Sequence, residues 1–424
     1  MSGALSESGY SDTGGRSYRD LPGSVWALGF VSMFMDISSE LVHSLLPLLM
    51  ATLLGASMFT IGMIEGAAEA VAAITKVFSG ALSDRLGRRK PLAVAGYSLA
   101  AFTKPVFPLA TSIGWVFGAR FTDRIGKGIR GAPRDALIAD ITRPGLRGAA
   151  YGLRQALDSL GALIGPLLAI LLMLWLSDDI RAVLWVAVVP AAVAVVVLVA
   201  LVREPGSSKP EHGSGSRLTL ASARLLPLRY WLVVALGGVF TLARFSEAFL
   251  ILRALDVGLR IGLVPLIMVA MNLVYSAASY PAGIAADRLP ARTLLLAGLT
   301  ALVAADVVLA IAGSPLAAML GAAFGGLHMA LTQGLLSKLV ADASPVEMRG
   351  TAFGVFNLVS GAALLLASVI AGALWSGMGP RATFVAGASF AALAAAGLLL
   401  YGRTDRAGGG PATPRERLRS RACR

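Results

Sequence analysis

An all-α integral membrane protein, with twelve transmembrane helices in two pseudo-symmetric bundles of six, is the fold class the sequence predicts. Three observations carry that expectation. Only 14% of the 424 residues are charged, against roughly 25% in an ordinary soluble domain. Apolar runs of about 20 residues, enough to span a hydrocarbon layer of roughly 30 Å, follow one another from end to end. Finally, two segments recur. "DITRPGLRGAAYG" (140–152) returns as "DASPVEMRGTAFG" (342–354), and "GALSDRLGRRK" (80–90) as "GIAADRLPART" (283–293), at offsets of 202 and 203. Two matches at nearly one spacing point to a duplicated six-helix unit with a site between the copies.

Read between polar or Pro/Gly breaks, the first six runs fall at 23–53, 58–84, 90–111, 113–140, 146–175 and 179–202. The longest break, "REPGSSKPEHGSGSRLTLASARLLP", is rich in Gly, Ser and Pro and reads as a flexible linker. Six more runs follow at 229–256, 262–287, 290–312, 315–342, 348–377 and 380–402. The expected organisation is a tail (1–22), a bundle (23–202), a linker (203–228), a second bundle (229–402) and a basic tail (403–424).

Lys and Arg concentrate in the loops after even-numbered helices, among them Arg85, Arg88, Arg89, Lys90, Arg143, Arg147, Arg203, Arg288 and Arg349. The positive-inside rule then puts both termini in the cytoplasm. It also accounts for the net charge of +13 without a nucleic-acid partner. The N-terminal stretch lacks a short apolar core with a small-residue cleavage site, so no cleaved signal peptide is expected. The single cysteine, Cys423, allows neither an intramolecular disulfide nor a thiolate metal cluster. No metal or cofactor is expected.

Ionisable residues inside the apolar runs are costly and normally line a cavity or pair with a partner. Helix 1 carries Asp36, Glu40 and His43 at i, i+4 and i+7, on one face. Helix 2 carries Glu65 and Glu69, and helix 3 Lys104. Helix 4 holds Arg120, Asp123, Arg124, Lys127, Arg130, Arg134 and Asp135, and helix 5 Arg154 and Asp158. Helix 7 has Arg244 and Glu247, and helix 10 has His328. Two readings are open: a polar cavity, or internal ion pairs such as Glu65 or Glu69 with a base on helix 4. His43 as a metal ligand is the weaker reading, since a lone His among apolar neighbours more often just hydrogen-bonds.

The stretch Gly80-Ala-Leu-Ser-Asp84-Arg85-Leu-Gly87-Arg88-Arg89-Lys90 resembles the signature between helices 2 and 3 of the major facilitator superfamily. Its degenerate second copy contains Asp287 and Arg288, with Pro290 where Gly87 stands. The resemblance implies a latch: Asp84 facing the start of helix 11 near Arg349, Arg88 paired with Asp140, and the halves released as the molecule turns inward. It also implies that helices 1, 4, 7 and 10 line the central cavity, which selects Asp36, Glu40, His43, Arg120, Arg124, Arg244, Glu247 and His328 as substrate or proton residues. Asp123, Lys127, Arg130, Arg134 and Asp135 then read as internal pairs. Gly161, Gly165 and Pro166 on helix 5 resemble half of the motif of exporting exchangers, the two following glycines being Ala169 and Ile170.

The implied function is secondary transport by alternating access. No nucleophile elbow, HExxH or Walker signature suggests an enzyme, and without a nucleotide-binding domain an ion or substrate gradient must supply the energy. The leading expectation is a monomeric proton-coupled exporter of small, anionic or drug-like organic molecules in the bacterial inner membrane, with Asp36 and Glu40 carrying the proton. Import of an anionic metabolite or carboxylate-type chelator is one alternative, and lipid flipping another.

Overall fold

The computed structural model describes residues 21–86, 88–204, 226–345 and 348–408. Among them there is no strand. In chain order the rods are α1 (Gly23–Leu48, extended by a π-helical turn Leu49–Leu53), α2 (Met58–Leu86), α3 (Lys90–Thr103, continued as Val106–Leu109), α4 (Ile113–Ile141), α5 (Arg147–Trp175) and α6 (Ile180–Val186 and Val188–Leu201). The second set is α7 (Leu228–Leu242 and Ala248–Asp256), α8 (Leu266–Arg288), α9 (Ala291–Ile311), α10 (Pro315–Ala343), α11 (Arg349–Met378) and α12 (Pro380–Gly408). The expected linker lies mostly outside the described residues.

Three rods expected as continuous are segmented. Pro105, which lacks an N–H, interrupts α3. At the break in α6, Ser38 Oγ on α1 donates to Ala187 O at 2.7 Å. The break in α7 spans 243–247, and Ser246 serves both of its sides. Its Oγ accepts from Ala248 N at 3.3 Å, as an N-cap does, and its own N–H donates to Ser368 Oγ on α11 at 3.2 Å.

Ten of the described helices are long and apolar enough to cross a membrane. α4 and α7 are not among them, for different reasons. α4 carries too many charges, and the break leaves α7 in pieces too short to span.

The buried clusters show how the bundles meet. Call the end with Arg88 and Arg89 the basic end. At the opposite, far end one apolar core is built from both halves: Leu45, Met50 and Phe107 pack in the same cluster as Phe249, Trp375 and Phe384. Towards the basic end the cores are separate. One uses only the first bundle, including Leu28, Tyr97 and Leu198, and two use only the second, around Phe240 and Leu299 and around Tyr230 and Val340. The far end is also tied by Arg260 Nη2 to Asp178 Oδ2 at 3.2 Å and by Phe59 N to Ser376 Oγ at 3.1 Å.

Candidate functional site

Where the shared core gives way to separate ones, a cavity of about 700 Å³ lies between the bundles. Its walls differ in chemistry. The first bundle supplies Asp36 and Glu40 from α1, Glu69 and Lys76 from α2, Lys127, Arg130, Arg134 and Asp135 from α4, and Asp158 from α5. The second supplies Arg244, Asn272, Tyr275, Ser276, His328, Thr332, Phe356, Asn357 and Ser360. One wall is ionic. The other, apart from Arg244 and His328, is hydroxyl, amide and aromatic.

Packing of α1 on α5 places Asp36 and Glu40. A methyl at Gly161 would sit 2.7 Å from Met33 O and 3.1 Å from Asp36 Cβ, and one at Gly165 would sit 2.7 Å from Glu40 Cβ. Both glycines are buried, with Pro166 beside them. A larger residue at either position would push α1 away, so the small residues press the acidic face of α1 against α5.

Arg120, Arg124, His43 and Glu247, expected in the cavity, are not among its lining residues. Arg120 is 1% exposed, and its Nη2 lies 2.7 Å from Glu65 Oε2. One turn on, Arg124 Nη2 lies 3.1 Å from Glu69 Oε1. These two rungs join α4 to α2, the ion-pair alternative that the sequence left open. The physical reason is desolvation: a buried guanidinium needs a counter-charge at contact distance, and the i, i+4 acids of α2 match the i, i+4 arginines of α4.

The network continues into the second bundle. Arg120 Nη2 also donates to His43 Nδ1 at 2.8 Å, and His43 Nε2 lies 3.4 Å from Glu247 Oε2. A guanidinium only donates, so Nδ1 must accept and the ring proton sits on Nε2, facing Glu247. Glu65, Arg120, His43 and Glu247 thus form a single chain of polar contacts from α2 through α4 and α1 to α7. His43 has no metal-binding company: among the described residues no group of three His, Cys, Asp or Glu could hold a metal ion.

The remaining helix-4 residues mostly pair inside their own bundle. Lys104 Nζ is 2.9 Å from Asp123 Oδ1 and 3.2 Å from Ser39 Oγ. Arg134 reaches Asp135 Oδ1 at 3.1 Å and Ser32 Oγ at 2.9 Å, and Arg130 stands 4.8 Å over the Tyr97 ring. Lys127 departs from the expected pairing, because it is exposed to the cavity. His328 is among the residues that line the cavity, with Nδ1 donating to Gly298 O at 2.8 Å.

At the basic end, Asp140 is held by Arg89, with Nε 2.5 Å from Oδ2, and not by the expected Arg88, which is exposed. Arg89 is the N-cap of α3, and from there its side chain reaches the foot of α4. Glu204, which the sequence did not flag, accepts from Arg89 N at 2.5 Å and Lys90 N at 3.2 Å, an acid at a helix N-terminus. Lys90 Nζ in turn caps α6 through Val199 O and Val202 O at 2.9 and 2.7 Å. Gly80 packs on α4, where a methyl would meet Ala132 Cβ at 3.4 Å. Arg288 is exposed. Gly87 and the side chains of Asp84, Arg85 and Asp287 lie outside the described residues.

Two helical bundles closed at one end around a polar central cavity define a polytopic membrane transporter, a class distinct from enzymes. The chain belongs to the Major Facilitator Superfamily, whose family model matches residues 28–259 and 248–422. An uncharacterized MFS-type transporter of Methanocaldococcus jannaschii is 32% identical over 391 residues, covering 90% of this chain and 95% of the relative. The multidrug resistance protein MdtH of Proteus mirabilis is 30% identical over 172 residues, 41% of this chain and 40% of that protein. The crystal structure of the nucleoside transporter NupG shares the fold with a TM-score of 0.74 at 12% identity, covering 89% of this chain and 99% of that one.

Proposed function

We propose that the protein exports small organic molecules across the cell membrane in exchange for protons. The observation that carries this reading is the cavity: a polar space where the bundles have separate cores, sealed at the far end by a shared one. With the basic end in the cytoplasm, the cavity is the inward-facing half of an alternating-access cycle. Export is favoured by the likeness to a protein named for multidrug resistance.

α4 and α7 cross the membrane as well, completing twelve spans. α4 does so because its charges face partners rather than lipid. With Cys423 replaced by serine, single cysteines at the exposed Thr111 and Arg143 should react with an impermeant thiol reagent from opposite sides of the membrane. Labelling of both from one side would rule out the topology.

A preference for anions loses its first support, since Arg120 and Arg124 are occupied by Glu65 and Glu69. The cavity sets Lys76, Lys127, Arg130, Arg134 and Arg244 against Asp36, Glu40, Glu69, Asp135 and Asp158. Such a balanced wall facing hydroxyls and aromatic rings suits amphiphiles that carry both charges or none.

Asp36 and Glu40 are the coupling carboxylates of this reading. Like charges one turn apart repel in a partly dehydrated site, and both side chains open onto the cavity. In proteoliposomes an imposed pH gradient should drive accumulation of a zwitterionic amphiphile by the wild type. The double variant Asp36→Asn, Glu40→Gln should still exchange substrate but no longer accumulate it. Accumulation at the wild-type level by the double variant would remove helix 1 from the coupling path.

A further inference from the structure

A second, smaller chamber of about 50 Å³ lies inside the second bundle, beside the break in α7. Its wall includes a carboxylate that the cavity does not use. Asp306, on α9, is 3% exposed, lines the chamber, and its Oδ2 has no hydrogen-bond partner. No ion pair among the described residues involves it. The surroundings on its own helix are apolar, with Leu302 and Leu309 on the same wall.

The titratable groups that face the chamber are Arg244 and Glu247 from α7 and His328 from α10. α8 contributes Met271. α12 presents Gly387, whose missing side chain makes the room, since a methyl there would lie 2.5 Å from Asp306 Oδ2. Two further arginines are near but engaged or turned away. Arg253 bonds Leu309 O, Ala312 O and Asp256, and Arg381 lies on the other face with Val303 and Val307. Arg244 and His328 line both the chamber and the central cavity, so they form the partition between the two spaces.

We propose that Asp306 is a proton-binding site of the second bundle, loaded and emptied through the chamber that Arg244 and His328 separate from the central cavity. A bare carboxylate at membrane depth without a counter-cation is too costly to persist. The described residues offer no cluster that could hold a metal ion, and the chamber has room for water. On loading, a hydronium ion in the chamber transfers its proton to Oδ2, forming the O–H bond and leaving water. On release the O–H bond breaks, the proton returns to chamber water, and the Arg244 guanidinium moves towards the carboxylate to supply the missing positive charge. His328 stands on the partition with its Nδ1–H on Gly298 O, which leaves Nε2 to take a proton from a hydronium ion in the cavity and give it to chamber water, restoring the neutral ring.

This inference rests on the reading of the chain as a transporter but not on Asp36 and Glu40, and its first test needs no transport. Infrared spectra of the reconstituted protein should contain a protonated-carboxyl C=O band that is absent from Asp306→Asn and that weakens as the pH is raised. Gly387→Ala, which pushes a methyl against Oδ2, should shift that band and its pH midpoint. It reports on the site even if the Asn variant fails to fold. In proteoliposomes Asp306→Asn should move one proton fewer per substrate than the wild type. A missing band, a band removed by sodium at constant pH, or a band that does not change with pH would each overturn the proposal. So would an unchanged proton-to-substrate ratio in Asp306→Asn. If the wild type moves no substrate at all while the pH-sensitive band is present, the transport reading fails and the proton site stands.

Discussion

Glu65→Leu is expected to lower the stability of the folded protein by about 3–5 kcal/mol, the effect of stranding a buried charge. Both partners of the Glu65–Arg120 pair are 1% exposed at the side chain, and their contact is 2.7 Å. No water can replace the lost carboxylate, and His43 Nδ1 supplies Arg120 with a hydrogen bond but no charge. Arg120→Met should cost a similar amount by stranding Glu65. The double variant Glu65→Leu, Arg120→Met should recover most of the loss, because two apolar side chains need no partner. Apparent melting temperatures of the four detergent-solubilised proteins, followed by tryptophan fluorescence, decide it. Single variants that melt with the wild type would mean that the pair is not the joint between α2 and α4. The neighbouring rung should matter less, since the Glu69 side chain is 31% exposed and water can reach it.

The second large effect concerns His43. His43→Leu removes the acceptor for Arg120 and the donor for Glu247 together. Hydrogen bonds to charged groups are worth about 1.5–3 kcal/mol, so transport is expected to fall by roughly 10- to 100-fold. His43→Gln is the informative variant. Its carbonyl oxygen can accept from Arg120 while its amide donates to Glu247, which copies the ring tautomer without a titratable proton. It should retain transport within a few-fold of the wild type. Initial transport rates of the wild type and both variants test this. Equal defects in the Leu and Gln variants would show that ring shape, not hydrogen bonding, is what the position requires.

Much of the architecture was legible in the sequence, because long apolar runs and a repeated loop report on membrane spans directly. The cavity was legible only in part. Asp36 and Glu40 share one face of α1 and both line the cavity, whereas His43 on that face turns to Arg120. α4 carries too many charges for a single side: bases at 120, 124, 127, 130 and 134 share one arc of about 120°, broad enough to meet α2 on one side and the cavity on the other. Nothing local says which ones turn to α2 and which to the cavity, and Arg120 and Arg124, expected in the cavity, do not line it. The break in α7 was hidden for another reason. No Pro or Gly marks 243–247, and the groups it frees are satisfied partly by Ser368, which is 122 positions away. Asp306 could have been found. A lone acid in an apolar run of twenty residues is a signal in its own right, but α9 lies outside the helices 1, 4, 7 and 10 that the resemblance implies for the cavity.

The pairing of α4 bears on how the chain enters the membrane. Taken alone, α4 is not apolar enough to be recognised as a span, and its arginines would each be costly at the bilayer centre. All the acids and the base that neutralise its middle stretch, Glu65, Glu69 and Lys104, come from α2 and α3. The ribosome makes both before α4 appears. The helix least able to partition into lipid is therefore synthesised after the elements that carry its counter-charges, and its insertion is expected to be a docking event onto them.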